Sequence, residues 1–530
     1  MANKNVFGST GGVRAIPVVN TINNAGGVAY SLEDKEALAQ FVMTGTFGNT
    51  FYVSAKNQLD NVKNLLNKLG PDNAEFIAKL AVHARKNGFM KDTPAYLLAW
   101  LTINGPEYFK KVFGQVIDNG KMLRNFVQIM RSGAVGRKSL GTSPKTMVKN
   151  WITTASPNAL IRASVGNDPS LADVIKMVHP TPTSLDQNVM FQWILNGKVD
   201  SKDFNLLPRQ VKDLIAFRKG EIDTIPQVPF ELVTSSDLSA ENWKEIVNNA
   251  GWHMIRMNLN TFNRKGIMSD GKVVDTIAKK LADPNEITKA KVFPYQIFTT
   301  WMNTKDTNPQ KINKALEKAL DFSLQTIPKF DGKVCVFVDV SGSMGSSVTG
   351  DRGSASSKIR CVDVAALMAS AILRSNPKNS AVVLFDTKIH NVVLDPKSSV
   401  FENAKIISRF GGGGTSCQLP LKAMNASNEQ AELIIYLSDN ESWISDNSDY
   451  RCQRTTATAA EWNKFKQRNP RAKMVCIDIT PNTTTQAMSD KRVLNIGGFS
   501  DAIWDTIANF TVENGDKDYW TREIEQAVSL

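Results

Sequence analysis

The sequence predicts a two-part chain: an all-α stack of amphipathic helices, then an α/β doubly wound sheet. Three observations predict it. From Ser31 to about residue 324, apolar residues recur at helical spacing, with short connectors punctuated by Gly, Pro or Asn. After Pro328, β-branched runs alternate with helical stripes, the pattern of a mostly parallel sheet. A chain of 530 residues is also too long for one core. The expected division is therefore residues 1–328 and 329–530.

In the first part, Ser31-Leu-Glu-Asp34 resembles a capping box, with Leu38, Phe41 and Val42 behind it on one helical face. Leu59, Val62, Leu65, Leu66 and Leu69 form the next stripe, stopped by Gly70-Pro71. Phe76, Ile77, Leu80, Ala81 and Ala84 follow. Further helices fit 93–103, 106–117, 121–132, 144–154, 157–165, 169–178, 184–195, 208–218, 240–250, 252–262, 271–281 and 308–324. Roughly fifteen helices joined this tightly, pairing every ~25–45 residues, suit a HEAT- or armadillo-like stack. A compact all-α domain has the same periodicity.

In the second part, strands fit 334–339, 380–385, 389–394, 432–437 and 473–479. Helices fit 358–374, 398–408 and 456–468, with 500–510 as the final one. A polar insertion, Gly345 to Ser357, follows the first strand.

Composition narrows the class. Hydrophobic content of 42% and charged content of 22% are ordinary for a globular protein. The apolar runs are strand-sized, so no membrane span is expected, and the N-terminal octapeptide lacks a signal-peptide core. The five cysteines, Cys335, Cys361, Cys417, Cys452 and Cys476, form no CxxC and read as reduced packing residues of a cytoplasmic protein. The net charge of +12 is uneven: residues 1–330 carry 41 basic and 28 acidic side chains, residues 331–530 carry 22 and 23. Residues 101–150 hold nine basic and two acidic ones. Such a basic first part suits a polyanion; a solvated basic surface is the alternative.

The chemistry-bearing segment runs from Lys333 to Met344. An apolar run long enough for a buried strand ends in Asp339-x-Ser341-x-Ser343, at the sheet end where ligands of open α/β folds sit. A carboxylate and two hydroxyls there suit a hard cation, Mg²⁺ above all, and equally an Asx-type turn whose serines cap a helix. Two further corners favour the cation. Gly411 to Gly414 lead into Thr415, which is expected to open a helix, and another apolar strand ends at Asp439. If strands 334–339 and 432–437 are neighbours, Asp339, Ser341, Ser343, Thr415 and Asp439 converge. No Gly-Lys-Ser/Thr or GxGxxG accompanies the glycines, so a nucleotide site is not expected.

These five residues, in this order on this strand pattern, resemble the metal-ion-dependent adhesion site of von Willebrand factor A-like domains. The resemblance implies a divalent cation with one position left for an acidic group of a protein partner. The whole chain, in turn, resembles the Ro autoantigen (TROVE) family, and a bacterial-type member of it. The segments that carry this are Phe47–Val53, Ser132–Lys138, Val228–Leu232, Met254–Leu259 and Phe293–Ile297, with Gly413–Pro420 and Ser438–Glu441 flanking the cation site.

This likeness implies a monomeric ring of HEAT-like repeats closed by the A-like domain. It implies small noncoding Y or Y-like RNA on the basic surface, single-stranded ends of misfolded RNA in the hole, and an exoribonuclease as partner in RNA quality control. Candidate RNA contacts are Arg131, Arg137, Lys138, Lys145 and Lys149 around Gly133–Gly141, together with Arg162, Lys176 and His179. The last three match the family's basic and histidine positions, although Gly166 stands where the eukaryotic pattern has arginine. His179 also suits a helix-end histidine bonded to carbonyls.

No nucleophile–base pair or acid cluster suited to two-metal cleavage is apparent, so a noncatalytic scaffold is expected. Two rivals remain: a metal-dependent adhesion or chaperone-like module that never meets RNA, and a metal-dependent nuclease or phosphatase.

Overall fold

The computed structural model describes residues 17–325, 327–351, 359–444, 455–498, 500, 502–513 and 516–530. Cys452, residues 352–357 of the polar insertion and the N-terminal octapeptide lie outside them.

Eighteen α-helices precede residue 330 among the described residues. Three of them, Phe230–Val233, Pro284–Ala290 and Pro294–Thr304, differ from expectation. Each starts at a proline or just after one. Proline's fixed φ suits the first helical turn, where its missing N–H costs nothing, so residues that read as breaks are starts. Ser31 corrects the other way. It ends a strand, and the helix Asp34–Thr44 begins behind Glu33 with no side-chain cap bond. Strand pairing overrides the local capping pattern there.

Nine strands are described: β1 Thr21–Ile22, β2 Val28–Ser31, β3 Val334–Asp339, β4 Ser380–Phe385, β5 Ile389–His390, β6 Leu433–Ser438, β7 Lys473–Asp478, β8 Thr484–Thr485 and β9 Val493–Gly497. Six form the main sheet in the order β5-β4-β3-β6-β7-β9. All neighbours are parallel except β4 and β5. Every residue of β3 and β6 is buried, which is why these central strands read as unbroken apolar runs.

The expected strand 389–394 shrinks to two residues. The helix expected at 500–510 spans Ala502–Val512 and is followed by another, Tyr519–Ala527. That last helix was hidden by the charge of its exposed face; it buries Tyr519, Trp520 and Ile524.

The helical part is an arc anchored at both ends. At its start, β2 pairs with β8, Tyr30 opposite Thr485 and Ser31 opposite Thr484. The helix Asp34–Thr44 packs on β9, and Ala74–Lys86 packs on Tyr519–Ala527. At its finish, Pro294–Thr304 packs on the sheet-covering helix Cys361–Ser375. There Trp301 stacks on Phe401 at 4.7 Å and 5°. Phe89 also meets Phe293 edge-on at 5.1 Å, joining the two ends of the arc directly. One buried apolar cluster runs from Leu32 through both parts to Val528, so the arc is closed through the α/β part.

Candidate metal centre and nucleic-acid interface

The five oxygen-bearing residues meet where β3 and β6 end side by side. The Ser341 amide donates to Asp339 Oδ1 at 2.8 Å, folding the loop back over the strand end. The Ser341 and Ser343 hydroxyls lie 3.2 Å apart. The Ser438 hydroxyl donates to Asp339 Oδ2 at 2.6 Å, linking the two strand ends. The glycine-rich loop is tied in by the Gly342 amide, which donates to Gly413 O at 3.0 Å. Thr415 lies in that loop and does not open a helix; the next helix is Gln418–Ala426. All five residues are buried.

Burial leaves the two carboxyls of this corner favouring a proton or a cation. Burial, then the charge of Asp439, pushes the Asp339 carboxyl up. Burial also raises Asp439, opposed by the Ser343 hydroxyl and the Glu441 amide. Two carboxylates facing each other out of water are costly until a cation joins them. Two carboxylates and three hydroxyls, with no thiolate or imidazole, fit a hard ion such as Mg²⁺. Among the described residues, no cluster of three His, Cys, Asp or Glu side chains that could hold a metal occurs.

Two features of this site were not read from the sequence. Tyr52, from the helical part, reaches it, sharing a cavity wall with Ser343, while burial and then Asp439 push its phenol up to about 12. A cavity of about 400 Å³ opens beside Ser343 and Thr415, rimmed by Phe51, Tyr52 and Trp443. Phe51 and Trp443 are 59% and 51% exposed, unusual for large rings. Tyr52 lies in the segment Phe47–Val53 already singled out, but nothing in one dimension places it beside residue 343.

The four described thiols are held protonated by burial. Cys335, Cys361, Cys417 and Cys476 are buried and unpaired. Burial pushes Cys335 up to about 11 and Cys361 to about 12, and raises Cys417 and Cys476 further.

The eight basic candidates divide. Arg131, Lys138, Arg162, Lys176 and His179 are exposed; Lys145 and Lys149 are half-buried on one face of the helix Thr142–Thr154. Among the described residues none of the eight forms an ion pair, although Lys176 helps to depress the Asp173 carboxyl. Arg137 departs from the expectation of a phosphate-facing side chain. It folds inward, Nη2 donating to Thr102 Oγ1 at 2.7 Å, with its guanidinium 3.0 Å from where a Gly141 side chain would start. The His179 amide caps its own helix by donating to Ile175 O, and its backbone is left-handed at φ 50°. At Gly166, Arg124 supplies a guanidinium from the neighbouring helix. Arg124 Nη2 donates to Val165 O at 2.6 Å, and a Cβ at Gly166 would meet it at 2.7 Å.

A second cavity, about 720 Å³, lies where the two ends of the arc meet the α/β part. Its walls include Phe89, Phe293, Tyr295, Asn125, Gln128, Lys91 and Lys121. Phe293 and Tyr295 are stacked at 5.6 Å. Phe47 and Phe89, which also line it, both hold left-handed backbone, φ 53° and 51°. For a bulky residue that conformation costs about 1–3 kcal/mol, and such strain collects at functional sites. Sequence reasoning missed Lys91, Lys121 and Phe89, whose positions are ordinary along the chain.

Comparisons with known proteins follow this geometry. Residues 333–511 match the family model of the Ro60 vWA domain, and residues 226–369 match that of the TROVE domain. The two run together over more than half of the chain. The chain belongs to the Ro (TROVE) family. A similar Ro-family relative, the RNA-binding protein RO60 of Deinococcus radiodurans, is 22% identical over 91% of this chain and 93% of its own. The RNA-binding protein RO60 of Caenorhabditis elegans is 27% identical over 33% of this chain and 28% of its own. The crystal structure of the Deinococcus radiodurans RO (RSR) protein superposes with a TM-score of 0.63 at 18% identity, covering 90% of this chain and 99% of that one. That likeness gives the Ro fold. The candidate residues 131–179 lie ahead of the TROVE match, so their roles rest on their own surroundings.

Proposed function

We propose that this Ro-family chain is an RNA-binding ribonucleoprotein scaffold without catalytic turnover. The observation that carries the reading is the basic face: Arg131, Lys138 and Arg162 stand exposed with no ion pair among the described residues, and Lys176, which faces Asp173, is exposed too. Some other cations of the arc are held in ion pairs, as Arg85 is by Asp118 at 2.9 Å. Unmatched cations on adjoining helices suit phosphates, and folded RNA is recognised largely through its backbone and shape. A small structured RNA of the Y-like class would lie on this face. The junction cavity offers aromatic faces for stacking, amides for base edges and two lysines for phosphates, the chemistry of a single-stranded end. RNA quality control is the role that fits a protein holding both.

At the second site, Asp339, Ser341, Ser343, Thr415 and Asp439 would hold one Mg²⁺-like cation. When bound, it supplies a Lewis-acidic position facing the cavity beside Phe51 and Trp443. An acidic group of a protein partner, an exoribonuclease among the candidates, is the chemistry that completes it. The rival adhesion-type reading keeps this site and drops the RNA.

Filter binding of a hairpin RNA with a single-stranded tail separates the two. Affinity should fall at least about tenfold between low and moderate salt as counterions are released. Reversing Arg131, Lys138 and Lys149 to Glu should weaken binding, while Asp439→Ala should lower metal occupancy and leave RNA affinity within about twofold. No retention at low salt defeats the proposal.

A further inference from the structure

The loops that carry the candidate cation ligands are the same loops that hold the start of the helical arc. On the first, Ser343 shares a cavity wall with Tyr52. Farther along, Asn49 and Asp351 exchange backbone hydrogen bonds at 3.0 and 2.8 Å, and the Thr46 hydroxyl donates to Thr349 O. Gly48 and Gly350 are in backbone contact: a Cβ on Gly48 would lie 3.0 Å from Gly350 Cα.

The loop after Asp439 is gripped in the same way. Asn23 Nδ2 donates to Ser442 O at 2.7 Å, and Asn24 Nδ2 to Glu441 Oε1 at 2.7 Å. Gly27 lies so close that a Cβ would stand 2.1 Å from Ser442 O. The inner side of this loop faces the ligands. The Glu441 amide donates to Asp439 Oδ1, and the Trp443 and Ile444 amides donate to Thr415 O at 3.2 and 3.1 Å. Asn482 Nδ2, just ahead of β8, donates to Asp439 O at 2.8 Å. β8 in turn pairs with β2.

We infer that cation binding at this site and docking of residues 20–53 are coupled, so that the cation acts as a clasp on one seam of the arc. The inference rests on the proposal that these five residues hold a cation. With the cation bound, Asp339 and Asp439 are drawn together and the three loops are fixed, which presents a rigid surface to Tyr52, Asn23, Asn24 and Gly27. Without it, the facing carboxylates repel and the same loops relax. The other seam, Trp301 on Phe401, is an apolar stack that contains none of the five ligands, so it should not respond. Coupling of this kind is reciprocal: loosening the docked segment must weaken the cation by the same factor.

Hydrogen exchange of the full chain, followed with and without Mg²⁺, tests the coupling, with calorimetry on the same samples to measure cation binding. The expected result is exchange slowed about tenfold in residues 20–31 and 45–53, with 294–304 unchanged. Asn24→Ala and Tyr52→Phe should each reduce the protection and raise the cation dissociation constant together. Cation binding with unaltered exchange in 20–53 overturns the clasp and spares the metal site. No heat of binding overturns both.

Discussion

Arg137 and Lys138 are adjacent basic residues with different duties. Lys138 is exposed, whereas Arg137 turns inward onto Thr102. Arg137→Ala should therefore cost about 1.5–3 kcal/mol of stability, the value of a charge-assisted bond with its partner left behind. Lys138→Ala should leave thermal stability nearly unchanged and lower RNA affinity. Denaturant unfolding and filter binding on the two variants give the comparison, and the opposite pattern would reverse the assignment. Neighbouring letters could not separate them, because solvation depends on which helix lies opposite. Gly166 is similar: the sequence marks a missing arginine, while Arg124 from another helix occupies the space.

At the scale of elements, the helix Asp34–Thr44 docks with a carboxyl in its interface. Glu36 is 7% exposed and accepts a hydrogen bond from the Ser489 hydroxyl at 2.5 Å. Burial, with the charges of Glu33 and Asp518 adding to it, pushes its carboxyl up to about 7. Lys517 faces the same group but is tied to Glu33. The folded state thus holds this proton more tightly than the unfolded chain, whose ordinary value is 4.5. Docking is unpenalised below about pH 4.5 and loses stability as pH rises towards 7, by up to about 3 kcal/mol. Melting Glu36→Gln across pH 5–8 should show a flatter profile and a higher melting temperature at pH 8. An unchanged slope would remove Glu36 as the cause. The amphipathic stripe of this helix was legible in sequence. Its buried carboxyl was not, because only β9 and its neighbours take Glu36 out of water.

For the whole molecule, closure of the arc depends on a few contacts across long sequence separations. Phe401 is 1% exposed and stacked on Trp301, so Phe401→Ala should cost about 3–5 kcal/mol and loosen the second seam. Phe401→Leu should restore much of it. Thermal unfolding with proteolysis near residue 304 reads both effects, and equal behaviour of the two variants would deny the stack its role. Much of this architecture was determined by sequence alone. Helical periodicity marked fifteen of the helices, because each must turn one apolar face inward. The all-buried runs of β3 and β6 marked the central strands, because a strand covered on both faces cannot alternate. Asp339, Ser341, Ser343, Thr415 and Asp439 were legible because parallel strands deliver their carboxyl ends to one edge of the sheet. Tertiary structure alone decided that Tyr52 and Asn24 meet the loops of that edge, that Arg137 faces inward, and that both ends of the arc reach the α/β part. Those outcomes depend on contacts between residues hundreds of positions apart, and local spacing carries no record of which surfaces the folded chain brings together.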